Sequence, residues 1–209
     1  MSGVPGAREV GRPRVFSDES IFDAVHFVIR RDGPAELTLE RVAHEVGCTR
    51  QALVRRFSSK RNLLLAAVDA TAAKIASDYS RFRESSDSPL AALRARMILP
   101  PNSRPEAATN RQEQANLLAF IVWSSTDPEF GQRFAALRRT TEGEVEELLR
   151  AAIEHGELAQ VDVAAMADAL LSAANGETVS MRHDSTVDQK AILSTIFDEI
   201  VGPYRLAPP

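Results

Sequence analysis

A cluster of basic side chains near the start of the chain is the feature best suited to binding chemistry. Residues 41–61 contain six cationic side chains and a single acidic residue, Glu45. The six are Arg41, Arg50, Arg55, Arg56, Lys60 and Arg61. A dense basic cluster attracts polyanions, and the phosphate backbone of nucleic acid is the polyanion that such a footprint fits best. The cluster therefore predicts a nucleic-acid contact in this part of the chain.

The remainder of the chain carries the opposite charge. The net charge of the 209 residues is −4, yet the first 61 residues contain 11 Lys and Arg against 8 Asp and Glu. Residues 62–209 contain 14 basic and 21 acidic residues. Because parts of opposite sign suit different partners, we expect only the N-terminal part to face nucleic acid.

Short helices with clear start and stop signals position the basic cluster. Ser17 caps a first predicted helix, which Gly33 ends. Thr38 begins a second helix that ends at Gly47, where glycine supplies the positive φ of a sharp reversal. Thr49 then begins a third helix. Two short helices separated by a tight turn with glycine have the form of a helix-turn-helix.

The third predicted helix has one face suited to the major groove of DNA. Opposite the apolar Leu53 this helical spacing places Gln51, Val54, Arg55 and Ser58. Arginine can bond guanine O6 and N7 together, glutamine can bond adenine N6 and N7, and valine can contact a thymine methyl group. Helix starts hold phosphates through backbone N–H groups. The residues predicted to contact DNA are Thr38, Thr49, Arg50, Gln51, Val54, Arg55, Arg56 and Lys60.

Residues 20–70 resemble the DNA-binding domain of the TetR family of bacterial transcriptional regulators. The residues that carry the resemblance are Ile21-Phe22-Asp23-Ala24, Gly33, Thr38, Val42-Ala43, Val46-Gly47, Leu53, Phe57, Ser59-Lys60 and Leu63-Leu64. The family usually has tyrosine at the position of Val54 and often histidine at the position of Arg56. The resemblance implies that Arg55 and Arg56 take over those contacts, and which of the two turns toward DNA stays open.

Helical periodicity continues through the rest of the chain, so the predicted fold class is all-α. We expect a flexible basic arm over residues 1–16, a three-helix DNA-binding domain over 17–62 and a larger helical domain over 63–209. A long helix that starts at Lys60 is expected to connect the two domains. The segment 117–123 is apolar on every side, which predicts that it is enclosed.

The resemblance assigns two tasks to the larger domain, dimerisation and the binding of a small effector. Helices over residues 128–154 and 163–181 are expected to form a four-helix interface with a second copy, and the alternative is that they pack only within one subunit. The residues predicted to line an effector pocket are Met97, Gln112, Asn116, Phe120 and Trp123. For each of these, core packing or surface exposure is the alternative interpretation.

Other classes of protein are not favoured. The sequence contains no paired acid and base, nucleophile motif or phosphate loop, so we expect no enzyme and no cofactor. The four histidines lack ligand spacing and Cys48 is the one cysteine, so we expect no metal site. No apolar run approaches the ~20 residues of a membrane span, and a single cysteine cannot form a disulfide framework, so we expect a cytoplasmic protein.

The predicted function is that of a regulator of transcription that binds double-stranded DNA as a homodimer. The resemblance implies a repressor, released from a palindromic operator by a small-molecule effector. The alternative is a helical protein-interaction module that does not bind DNA.

Overall fold

The computed structural model of the chain describes residues 16–98, 111–180 and 188–207. Within these ranges the chain forms nine α-helices and no strand, which confirms the predicted all-α class. They are α1 (Asp18–Asp32), α2 (Leu39–Val46), α3 (Arg50–Phe57), α4 (Lys60–Ser85), α5 (Pro89–Ile98), α6 (Arg111–Ser125), α7 (Pro128–Glu154), α8 (Val163–Ser180) and α9 (Gln189–Val201). Apart from Phe16, the predicted basic arm lies outside the described residues.

Side-chain caps start the N-terminal helices at the positions that the sequence predicts. The Thr38 hydroxyl oxygen accepts a hydrogen bond from the backbone N–H of Arg41 at 3.1 Å. The Thr49 hydroxyl oxygen accepts one from the N–H of Ala52 at 3.2 Å, and that of Ser17 caps α1 in the same way. Each cap satisfies a backbone donor that the helix itself leaves open, and contributes about 1 kcal/mol.

The turn between α2 and α3 depends on a left-handed glycine. Gly47 has φ 77° and ψ 30°. Its N–H donates to the carbonyl of His44 at 3.1 Å, and the N–H of Cys48 donates to the carbonyl of Ala43 at 2.8 Å. These two bonds form a Schellman motif, which closes the last turn of α2 and redirects the chain into α3.

Replacing glycine with alanine should have opposite effects at Gly47 and at Gly143. A Cβ at either position meets no atom within 4 Å, so packing does not decide the outcome. Gly47→Ala should cost about 1 to 2 kcal/mol of unfolding free energy, because an L side chain disfavours the left-handed conformation. Gly143 lies inside α7, where Gly143→Ala should stabilise the helix by about 1 kcal/mol. Denaturant unfolding measures both variants, and a shift of the same sign in both would contradict this account.

The buried apolar side chains form two clusters. The first joins α1, α2 and α3 to the beginning of α4, with Phe120 and Phe130 added from α6 and α7. The second joins the later part of α4 to α5, α7, α8 and α9. Helix α4 supplies Leu64 and Val68 to the first cluster and Ile75 to the second. It therefore connects the two cores as one continuous helix, as the sequence predicts.

Helix α6 differs from its prediction. Phe120 and Ser124 are buried, but Leu117, Ile121, Val122 and Trp123 are exposed, Val122 to 60% and Trp123 to 52%. The prediction that this segment is enclosed is wrong. The helix packs through one side against α1 and α7, and its other side meets too few neighbours to bury it. Among the described residues no helix combines the length and the apolar character needed to cross a bilayer.

Candidate nucleic-acid interface

Helix α3 buries one face and exposes the other. Leu53 is 1% exposed within the first cluster, and the Phe57 ring lies against Phe22 with centroids 5.9 Å apart. Gln51 and Arg55 are exposed on the opposite side, where the sequence places its reading face. Val54 is half-buried and packs against the first cluster, so it lies at the edge of that face.

The two adjacent arginines of α3 have different environments. The Arg56 guanidinium pairs with the Asp18 carboxylate at 2.7 Å and donates to the backbone carbonyl of Phe16 at 2.8 Å. These contacts fasten the end of α3 to the start of α1. In the described part of the chain Arg55 has no ion pair within 4.0 Å. Of the two side chains, Arg55 is the one available to a ligand.

Two further arginines of the basic cluster are paired on the surface. Arg50 contacts the Glu40 carboxylate at 2.5 Å, and Arg41 contacts Asp32 at 3.1 Å and Glu36 at 2.8 Å. Exposed ion pairs of this kind contribute about 0–1 kcal/mol, so a phosphate can replace a carboxylate at small cost. Arg50 thus remains able to contact DNA.

Lys60 is the first residue of α4. Ser59 caps this helix by accepting a hydrogen bond from the N–H of Asn62 at 3.1 Å, and the preceding Ser58 has a φ of 67°. This left-handed residue sets the angle between α3 and α4. The lysine is half-buried, and burial lowers the pKa of its ammonium group. No acidic residue in the described ranges pairs with it, so its charge is available to a phosphate.

Arg61 connects the start of α4 to the start of α7. Its guanidinium contacts Glu129 at 2.6 Å and Asp127 at 2.8 Å, and these hydrogen bonds raise the pKa of Arg61. Asp127 also caps α7 by accepting a hydrogen bond from the Glu129 N–H at 2.9 Å. Arg133 extends the network to Glu129 at 3.0 Å and to Asp69 of α4 at 3.1 Å. The sequence gives no signal for the contacts of Arg61 with α7 or of Arg133 with Asp69, because these partners lie more than sixty residues apart.

The residues predicted to line an effector pocket are divided between different surroundings. Phe120 belongs to the first cluster and Met97 to the second. Gln112 donates to the Asn116 side-chain oxygen at 3.0 Å, and the Asn116 amide donates to the last turn of α1 at 2.8 Å. Phe120 and Trp123 form a second direct pair, with ring centroids 6.0 Å apart.

The groups that could hold a metal are dispersed. Among the described residues no three His, Cys, Asp or Glu side chains are grouped as metal ligands. Cys48 is half-buried beside the first cluster, and burial raises the pKa of its thiol. A thiol with a raised pKa is a poor nucleophile, which fits a packing role beside the first cluster.

Residues 21–67 match the family of bacterial regulatory proteins, tetR family. The match covers α2 and α3 in full, most of α1 and the beginning of α4. This N-terminal domain belongs to the TetR family. The resemblance drawn from the sequence is therefore confirmed, and with it the assignment of the protein as a transcriptional regulator of the helix-turn-helix type. No curated protein sequence matches the chain.

Solved structures of other regulators have the same fold over nearly the whole chain. A TetR transcription regulator from Haloarcula marismortui matches with a TM-score of 0.72 at 20% identity, covering 90% of this chain and 98% of that one. A transcriptional regulator from Rhodococcus sp. Rha1 matches with a TM-score of 0.70 at 19% identity, covering 92% and 100%. SmeT, the repressor of the Stenotrophomonas maltophilia multidrug efflux pump SmeDEF, matches with a TM-score of 0.62 at 24% identity, covering 91% of each chain. These similarities establish the helical architecture of the chain outside the DNA-binding domain.

Proposed function

We propose that this TetR-family regulator binds a palindromic operator in double-stranded DNA as a homodimer and acts in the cytoplasm as a repressor that a small-molecule effector releases. The observation that carries the proposal is the exposed face of α3, where Gln51 and Arg55 stand opposite the buried Leu53. SmeT, with the same fold, is a repressor.

The proposed interface divides its contacts between bases and phosphates. Gln51 and Arg55 read base edges in the major groove, where each base pair presents its own pattern of donors and acceptors. Lys60, Thr38 and Thr49 lie at the starts of three helices and hold phosphates, together with Arg50. Arg56 stabilises the interface indirectly, because its contacts with Asp18 and Phe16 hold the end of α3 against the start of α1.

The proposed dimer forms through α8 and neighbouring helices. One side of α8 packs through Met166, Ala167 and Leu170 into the second cluster. The other side is exposed and carries a row of small residues at helical spacing, beside the exposed Asp168: Ala165, Ala169, Ser172 and Gly176. Small side chains allow two helices to approach closely, and a two-fold axis through this face would form a helical bundle with the second copy.

The proposed response to an effector passes through α4. This helix begins beside α3 and ends within the second cluster, and the Arg61 contacts tie its first turn to α7. A ligand can change the distance between the two α3 helices of the dimer only by binding one arrangement of the dimer more tightly than the other. Movement of α4 is the route by which that difference reaches the DNA-binding domain.

Selection of DNA from a randomised library with the full chain tests this function. The enriched sequence should have two-fold symmetry, with half-site centres about 34 Å apart or a multiple of that distance, because the two α3 helices are related by the dimer axis. Gln51→Ala and Arg55→Ala should each relax the preference at particular base pairs by about 1–3 kcal/mol. Lys60→Ala should weaken binding to all sequences equally and reduce the salt dependence by about one phosphate contact.

Lys74→Ala serves as the control, because this exposed lysine lies on α4 and pairs with Asp23 of α1 at 3.7 Å. It should leave the selected sequence unchanged. Failure to enrich any sequence would favour the protein-interaction module instead. If Lys60→Ala changed the base preference while Gln51→Ala and Arg55→Ala did not, the proposed reading face would be wrong.

A further inference from the structure

A cleft of about 430 Å³ opens where α4 begins, α6 ends and α7 begins. Lys60, Leu64, Trp123 and Phe130 are among the residues that line it. The volume lies within the range of about 300–1,000 Å³ that is usual for small-molecule sites. We propose that the cleft binds a small aromatic carboxylate, with the ring against Trp123 and the carboxylate on Lys60. The effect of this ligand on DNA binding rests on the function proposed above.

The apolar wall of the cleft fits an aromatic ring. Leu64 and Phe130 are almost fully buried beneath it, while Trp123 leaves about half of its surface exposed. The Trp123 and Phe130 ring centroids are 6.2 Å apart with the ring planes at 56°. A third ring that packs against the open side of Trp123 would remove apolar surface from water in one of the geometries that aromatic pairs prefer.

The hydroxyl groups of the lining are already committed. The Ser124 hydroxyl donates to the backbone carbonyl of Phe120 at 2.7 Å, and the Thr126 hydroxyl donates to that of Trp123 at 3.0 Å. Neither has a second proton to donate to a ligand. These two hydroxyl groups therefore offer no proton to a ligand carboxylate, which leaves the Lys60 ammonium group as the donor for it.

The charge of the lining favours an anion. Asp127, its acidic residue, pairs with Arg61 at 2.8 Å, so these two charges compensate each other. Lys60 keeps its charge without an acidic partner in the described residues, and its pKa is lowered by burial. A carboxylate beside the ammonium would supply the missing counter-charge and a charge-assisted hydrogen bond.

A ligand in the cleft affects DNA binding through the Lys60 ammonium group. Lys60 is the residue proposed to hold a phosphate at the start of α4, and a carboxylate paired with it competes for that contact. The ligand therefore weakens DNA binding directly, without a need to rearrange the second cluster. We expect the competition to be mutual, since DNA that engages Lys60 leaves the carboxylate without its partner.

Tryptophan fluorescence tests the site in protein free of DNA. Trp123 is the single tryptophan of the sequence, so its emission reports on the cleft. Phenylpropanoate titrated into the full chain should change this emission to saturation. Phenylpropanol has the same ring without the charge and should bind at least tenfold more weakly, as should propanoate, which has the charge without the ring. Equal affinity for phenylpropanoate and phenylpropanol, or no saturable change, would overturn the site.

Two lysine variants test whether Lys60 is the cation that binds the carboxylate. Lys60→Gln should weaken phenylpropanoate binding at least tenfold in calorimetry, whereas Lys74→Gln on the same helix should leave it unchanged. An unchanged affinity in Lys60→Gln, with the helical content intact by circular dichroism, would overturn the assignment.

Saturating phenylpropanoate should also weaken DNA binding by the wild-type chain, and undiminished DNA binding would overturn the competition. Failure of the ligand-free protein to bind DNA would contradict the proposed function instead, while the DNA-free titrations still decide the cleft.

Discussion

Replacing Ala169 with arginine should convert the proposed dimer into a monomer. Ala169 is exposed at the middle of the small-residue face of α8, and a two-fold axis through that face brings the two substituted side chains together. Two bulky like charges then occupy a space that two methyl groups fill. We expect the dissociation constant of the dimer to rise at least a hundredfold. Light scattering should report the 22.9 kDa chain alone at concentrations where the wild type has about twice this mass.

Because the Ala169→Arg variant should be monomeric, its affinity for the operator should also fall. In the dimer, binding of one DNA-binding domain holds the second at a high effective concentration near its half-site. A monomer lacks this advantage, and its loss weakens operator binding about 100- to 10,000-fold. Ala91→Arg is the matched control, because Ala91 is an exposed helical alanine of α5, outside the proposed interface. It should remain dimeric. A dimeric Ala169→Arg protein that binds its operator normally would place the interface elsewhere.

Truncating Leu53 should destabilise the DNA-binding domain by about 2–5 kcal/mol. Its side chain is 1% exposed and is the buried anchor of α3 in the first cluster. Leu53→Ala removes this apolar contact and leaves a cavity that a helix of eight residues cannot close by itself. Hydrogen exchange should show the amide protection of α2 and α3 reduced, and operator binding should weaken with it.

Leu148→Ala is the corresponding change in the other core. Leu148 is fully buried in α7, within the second cluster. Its loss should reduce amide protection in α7, α8 and α9 more than in α2 and α3, because Leu148 packs in the second cluster and α2 and α3 belong to the first. Identical exchange patterns in the two variants would show that the chain unfolds as one unit and would contradict two separately responding cores.

The sequence predicted those parts of the structure that local interactions decide. Ser17, Thr38 and Thr49 each begin a helix because their side-chain oxygens accept hydrogen bonds from N–H groups three residues ahead. Gly47 ends α2 because its left-handed backbone suits a residue without a side chain. The exposed Gln51 and Arg55 follow from the period of the helix once Leu53 is placed inside. These interactions span a few residues, so one sequence is sufficient to read them.

The tertiary structure alone decided which charges and surfaces remain available. The sequence does not show which of the six cations of residues 41–61 are paired. In the structure Arg56 reaches Asp18 and Arg61 reaches Asp127, and Arg55 and Lys60 have no acidic partner in the described residues. The exposure of Trp123 was also decided by packing, because an apolar helix is enclosed only where other helices reach every side of it. Ion pairing and burial depend on residues far apart in the chain. Their outcome is fixed by how α1, α4, α6 and α7 meet, and helical periodicity carries no information about that.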